Sequence, residues 1–257
     1  MGPVRSELMW QAVVDAVETC GADGALDVLD LGGGTGGDAV HLARLGHRVT
    51  VVDPSPDALA SLHRRGVEAG LDEPVRGIQG DSGDLLQHVE PASFDLVLCH
   101  GVLEHVDDPA QALGTVATVL RPGGHTSVLV AGRNAAVAAR ALAGDFATAQ
   151  TLLGRTVDGW DLRTMGPRRF VRAELDALLA EQGFVPVQSI GVRVFADLVP
   201  SAIVDIEPGA RDALYDLERQ LREVREFSAL SAGLQSIARL DLSTAASSDP
   251  GGRSAAL

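Results

Sequence analysis

The sequence predicts an α/β fold, a mostly parallel sheet wound with helices on both faces. Three observations predict it. Short apolar runs alternate with helical patterns five times between residues 26 and 130. The first apolar run ends in Gly32-Gly33-Gly34-Thr35-Gly36-Gly37, which opens a helix. The second apolar run ends on an acid, Asp53.

The spacing of Leu8, Val13, Val14 and Val17 predicts an amphipathic helix over 5–20. Residues 26–31 form the first strand and 38–45 the helix after the glycines; 47–52 form the second strand. Pro54-Ser55-Pro56 starts the next helix, because proline fits a first turn and serine can cap it. A weak third strand covers 75–79 and a strong fourth 94–100. A helix over 109–120 is closed by Arg121-Pro122-Gly123-Gly124, and the fifth strand covers 126–130. Beyond it the pattern changes. An Ala-rich helix is expected over 134–155, an irregular stretch over 157–170 and a helix over 172–181 stopped by Gly183. A β-prone run over 185–195, a long charged helix over 208–227 and a final strand over 230–242 complete the chain. This organisation reads as one domain over 1–242 with an insertion at about 133–172. A Ser-, Ala- and Gly-rich tail over 243–257 is expected to be disordered.

Composition narrows the function. Apolar residues make up 46% of the 257, enough for a large core. No apolar run approaches the roughly 20 residues of a membrane span, and the start lacks a signal-peptide pattern. A soluble, cytoplasmic protein with no membrane partner is expected. Cys20 and Cys99 form neither a disulfide framework nor a metal site; no metal is expected, and Cys99 reads as a core filler. A net charge of −14 disfavours bulk nucleic-acid binding but leaves room for a local basic patch. All 21 basic residues are arginine, a trait assigned here to coding bias.

The glycine loop lets a ligand approach the backbone closely. Gly32-x-Gly34-x-x-Gly37 also fits the dinucleotide fingerprint, so the loop alone is ambiguous. Asp30 tips the choice. A carboxylate at the mouth of the first strand repels a pyrophosphate but suits the ammonium of S-adenosyl-L-methionine. Asp53 suits ribose hydroxyls in either cofactor class, or a cap before the next helix. In Asp81-Ser82-Gly83-Asp84, Ser82 and Gly83 suit contacts to an adenine edge, while either acid can instead cap the following helix.

Val102-Leu103-Glu104-His105 and Leu120-Arg121-Pro122-Gly123-Gly124 are signatures of the class I S-adenosylmethionine-dependent methyltransferases, which the chain resembles. The resemblance implies a Rossmann-like fold with a seven-stranded sheet and S-adenosyl-L-homocysteine as cofactor product. A closer likeness is to the tRNA 5-carboxymethoxyuridine methyltransferases. It lies in Arg5-x-x-Leu8-x-Trp10-Gln11, in 100–109, in Ala143-Gly144-Asp145-Phe146 and in Gly191-Val192-Arg193-Val194-Phe195-x-Asp197. The last is the most specific, since it lies outside the general cofactor motifs. Carried over by position, the cofactor contacts are Arg5, Gly32, Gly33, Asp53, Ser82, Gly83 and His100; Asp30 and Gly34 join them from the loop reading. Arg5 suits the methionine carboxylate, and His100 sits beside the sulfonium. Gly132-Arg133-Asn134 departs from that family's Asn-Ala-His pattern.

The implied reaction esterifies a wobble-uridine carboxylate in tRNA. Such a nucleophile is ionised at neutral pH and needs no general base. Arg193 is the candidate to orient it through a bidentate pair. Seven arginines (133, 140, 155, 163, 168, 169, 172) against three acids make 133–172 a candidate tRNA patch, with Trp160 as a base-stacking platform. Three other readings stand beside this one: a small-molecule O-methyltransferase, a cofactor-binding regulator acting through the 208–227 helix, and a nicotinamide dehydrogenase, which Asp30 disfavours.

Overall fold

The structure, a computed structural model, describes residues 4–21, 24–71 and 75–241; the side chains of Arg5, Ser201 and Asp205 and the expected tail lie outside that description. Seven strands form one sheet: β1 Asp27–Leu31, β2 Arg48–Asp53, β3 Arg76–Gln79, β4 Phe94–His100, β5 Leu120–Ala131, β6 Phe184–Val192 and β7 Gly233–Leu240. Their spatial order is β3-β2-β1-β4-β5-β7-β6. The first five pair in parallel, and β7 runs antiparallel to both β5 and β6. The carboxyl ends of β1, β2, β4, β5 and β6 therefore share one edge. The order of strand addition reverses between β1 and β4, which opens a crevice of the kind where such sheets bind ligands.

The helices are α1 Val4–Thr19, α2 Gly37–Arg44, α3 Pro56–Glu68, α4 Pro109–Val119, α5 Arg133–Leu142, α6 Phe146–Leu153, α7 Leu162–Met165, α8 Arg172–Glu181, α9 Ser201–Ile206, α10 Ala210–Leu221 and α11 Arg225–Ser228. A 3-10 turn covers Leu85–Gln87. Strand alternation feeds two cores. Leu29, Leu31, Val97 and Cys99 pack with Leu113 of α4 and Leu175 of α8 on one face. Val28, Leu96 and Leu98 pack with Val13 of α1 and Leu42 of α2 on the other. Burial on both faces is why the central strands read as continuous apolar runs.

Helix starts follow the sequence cues. Ser55 Oγ accepts from the Ala58 amide, with Pro56 in the first turn, and Asp108 Oδ1 accepts from Gln111 ahead of α4. The single helix expected over 134–155 is instead two. Gly144 turns at φ +78°, and Asp145 caps a new helix by accepting from the Thr148 amide. The long 208–227 helix also divides, after Leu221, where the Arg222 carbonyl accepts from Gly191 of β6 at 2.7 Å. Arg121-Pro122-Gly123-Gly124, expected to close a helix, belongs to β5. Arg121 reaches Asp27 at 2.8 Å and Asp95 at 2.6 Å, clamping the starts of β1 and β4.

The insertion is held by arginines aimed inward. Arg133, 5% exposed, donates to the Arg155 and Arg169 carbonyls and to Glu174. Glu174 in turn accepts from the Val171 and Val157 amides, at 3.0 and 3.2 Å. Arg172 reaches across to the Gln235 and Ile190 carbonyls at 2.7 and 2.9 Å. Breaking a buried pair leaves an uncompensated charge, so Glu174→Ala should lower the unfolding free energy by about 3 kcal/mol. Denaturant titration checks this; a loss under about 1 kcal/mol would place the pair among solvated surface contacts.

Candidate functional site

The glycine loop is built over two buried carboxylates at the ends of β1 and β2. Gly32 N–H donates to the Val52 carbonyl at 2.7 Å, and Gly34 N–H to Asp53 Oδ2 at 2.9 Å. The other Asp53 oxygen accepts from the Ser55 amide at 2.9 Å, so one carboxylate sets both the loop and the approach to α3. Gly33 lies directly on Asp30: a Cβ there would stand 2.3 Å from Asp30 Oδ2. Gly32 has φ +72°, and its Cβ would stand 2.6 Å from Val102 Cγ2. Both positions therefore require glycine for close approach.

In front of the loop lies a cavity of about 540 Å³ lined by Gly32, Asp53, Ser82, Gly83, Val102, Asp108 and their neighbours. That volume suits a nucleoside-sized ligand. Asp81 and Asp84 shape its rim. Asp81 Oδ1 accepts from the Gly83 amide at 2.7 Å, and Asp84 Oδ1 accepts from the Asp81 amide at 2.8 Å. The Asp84 side chain makes no capping bond to the 3-10 turn that follows. A larger hollow of about 910 Å³, lined by Arg44, Arg48, Arg76 and Phe94 among others, sits at the opposite edge, by the amino ends of β2 and β4.

The structure thus brings Gly32, Asp53, Ser82 and Gly83 together on one cavity, with Asp30, Gly33 and Gly34 directly behind it. His100 ends β4, and its Nε2 lies 2.8 Å from Ser127 Oγ. Burial pushes its pKa down to about 4, so the ring is neutral at physiological pH. The Arg5 side chain lies outside the described residues. Arg193 follows β6 at the same edge of the sheet. Its backbone is left-handed at φ +61°, its Nε is buried without a partner among the described residues, and its Nη1 lies 3.5 Å from Asp197. A non-glycine residue held in that region marks a position the surrounding structure determines. Glu218, 1% exposed, supplies the constraint by accepting from the Val194, Phe195 and Ala196 amides at 2.8, 2.7 and 2.7 Å.

Sequence reasoning missed Glu218, since a lone acid on a charged helix carries no local signal. It also missed what supports the wall formed by 105–108. Arg168 donates to the Leu103, Val106 and Asp107 carbonyls at 3.1, 2.8 and 3.3 Å. Glu104 Oε1 accepts from the Ala131 amide at 2.7 Å, tying this wall to the end of β5.

Two expectations for the insertion are corrected. Trp160 is buried, donates Nε1–H to the Gly166 carbonyl at 3.0 Å and lies under Arg133, so it packs a core instead of offering a stacking platform. Arg133, Arg168 and Arg172 satisfy backbone carbonyls inside the fold. Arg140, Arg155 and Arg163 remain exposed, and Arg169 half-buried. Among the described residues, no group of three His, Cys, Asp or Glu side chains is placed to hold a metal ion, and no helix is long and apolar enough to cross a membrane.

Burial, then the nearby Asp38 and Asp53 carboxylates, push the Asp30 pKa up to about 7 from the 3.8 of a free side chain. The folded state therefore holds this proton more tightly than the unfolded chain. The resulting stability is full below about pH 4 and is lost as pH rises through 7. Asp30→Asn should flatten the fall in stability between pH 4 and pH 8 by up to about 4 kcal/mol. Denaturation across that range measures it; parallel curves for the two proteins would show Asp30 ionised throughout.

Residues 29–128 match the family model described as a methyltransferase domain. The chain is 31% identical over 198 residues to tRNA 5-carboxymethoxyuridine methyltransferase of Escherichia coli K12, covering 76% of this chain and 73% of that protein. It is 33% identical over 167 residues to a ubiquinone biosynthesis O-methyltransferase of Ralstonia nicotianae, covering 65% and 66%. Among solved structures, 1,6-didemethyltoxoflavin-N1-methyltransferase of Burkholderia thailandensis, bound to that substrate and S-adenosylhomocysteine, aligns with TM-score 0.55 and 23% identity. The alignment covers 91% of this chain and 78% of that one.

Proposed function

Because the chain belongs to the class I S-adenosylmethionine-dependent methyltransferases, we propose that it methylates the carboxylate of 5-carboxymethoxyuridine in tRNA to the methyl ester. One observation supports this acceptor above the rest. Arg193 is held at a left-handed backbone position by the Glu218 cradle, at the sheet edge shared with the glycine loop. Likeness to the tRNA enzyme over 198 residues supports it further.

S-adenosyl-L-methionine, when bound, supplies a methyl group activated by the sulfonium charge. The protein's task is then alignment and exclusion of water. Asp53 would accept from the ribose hydroxyls with the lone pairs left by Gly34 and Ser55. Ser82 and Gly83 would meet the adenine edge. Asp30, whose carboxyl pKa is pushed up to about 7 by burial, would face the donor's ammonium from behind the loop. Arg193 orients the acceptor carboxylate, and exposed Arg140, Arg155 and Arg163 meet tRNA phosphates. A second reading, O-methylation of a small carboxylic acid, draws on the net charge of −14 and on the inward arginines of the insertion.

Methyl-labelled donor, purified protein and tRNA from cells lacking this enzyme test the proposal. Label in a mild-alkali-labile wobble nucleoside is the expected result. Unlabelled tRNA with donor binding intact would overturn the tRNA acceptor and favour the small acid. Arg193→Ala should lower kcat/KM for the acceptor by about 100-fold while donor affinity holds; a loss confined to donor binding would remove Arg193 from the acceptor site.

A further inference from the structure

A chain of polar groups runs from the half-buried His100 at the ligand edge of the sheet, through buried Ser127 and Gln235, to α1. His100 Nε2 lies 2.8 Å from Ser127 Oγ on β5. Gln235 Nε2 on β7 lies 2.9 Å from the same oxygen and 2.6 Å from the Ala12 carbonyl of α1. Ser127 and Gln235 are fully buried, so no solvent proton adjusts these bonds. The direction of every bond follows from one group that can only accept. The Ala12 carbonyl requires the amide NH₂ edge of Gln235 to face it, and that NH₂ supplies the second proton to Ser127 Oγ. Gln235 Oε1 is buried without a partner among the described residues, yet flipping the amide would set this oxygen against the Ala12 carbonyl. Ser127 Oγ therefore accepts from Gln235. Its own proton has no other acceptor among the described residues and goes to His100 Nε2. The ring proton of His100 must then sit on Nδ1.

We propose that Ser127 and Gln235 are positioning residues that lock His100 as the neutral Nδ1–H tautomer. His100 then meets the bound ligand as a fixed hydrogen-bond donor and takes no proton from the acceptor. The inference rests on the proposed function only in assigning a ligand to His100; the tautomer itself stands on the bonds above. A donor without a full charge suits this place. It can hold a carboxylate in line without the strong neutralisation that would blunt its nucleophilicity, and it adds no cation beside a sulfonium. The tautomer is also the less common one for a free imidazole, so the relay has something to enforce.

Nitrogen-15 NMR of the full-length protein at pH 7.5 tests this, with the His100 signals assigned by their loss in His100→Gln. The expected spectrum shows a protonated Nδ1 and an unprotonated Nε2. Ser127→Ala removes the donor to Nε2 with a small loss of volume. It should shift His100 toward the Nε2–H form. Gln235→Leu, which frees the Ser127 hydroxyl to rotate, should give a mixture of tautomers. A protonated Nε2 in the unmutated protein would overturn the proposal. So would an unchanged tautomer in both variants. Should Ser127→Ala fail to fold, the unmutated spectrum and Gln235→Leu decide the question. Failure of the tRNA assay alone would leave the tautomer standing and change only the acceptor.

Discussion

The glycine loop rests on carboxylates, and the rest of the site is arranged around that contact. A backbone segment can lie against a buried Asp30 only where no Cβ intervenes, which fixes Gly33. Asp53 then fastens the same loop from the neighbouring strand through Gly34 and fixes the approach to the next helix through Ser55. Placing two acids so close in a dry place is costly, and Asp30 answers by holding a proton up to about pH 7. A ligand carrying a positive charge relieves that cost, whereas a pyrophosphate would raise it. The loop geometry that a dinucleotide site and a sulfonium site share is thereby biased toward the second.

Distance from the loop separates the chemistry from its support. Glu218 and Arg168 touch no face of the cavity, yet each holds three successive or near-successive backbone groups of a loop at the ligand edge. They do opposite jobs with the same arithmetic. Glu218 gathers the amides that follow Arg193, and Arg168 gathers carbonyls behind the wall of 105–108. The insertion is in this respect a brace for the site. Arginine suits the task because one planar guanidinium satisfies several carbonyls at fixed angles.

The fold was legible because its strands are buried on both faces. β1, β2 and β4 read as apolar runs, and their boundaries came within one or two residues of the expected ones. That Asp53, Ser82 and Gly83 share one cavity was legible for a related reason: they end a strand, or sit in the loop after one, where carboxyl ends meet at one crevice. Legibility failed where tertiary partners decide. An Ala-rich stretch reads as one helix until Asp145 caps a second. Arg121 sits in a recognisable phrase, but only the sheet shows that it clamps Asp27 and Asp95 at the far edge from the ligand. Trp160 and the inward arginines look like a nucleic-acid surface in one dimension because sequence carries no record of which way a side chain turns. Glu218 had no signal at all, since its three partners lie more than twenty positions away.

The most direct test is a crystal structure of the protein soaked or grown with S-adenosyl-L-homocysteine. The expected result has the ribose hydroxyls on the Asp53 carboxylate, the adenine beside Ser82 and Gly83, and the amino group of the homocysteine moiety facing Asp30 over the glycine loop. A ligand seated elsewhere, or one whose ribose bypasses Asp53, would contradict it.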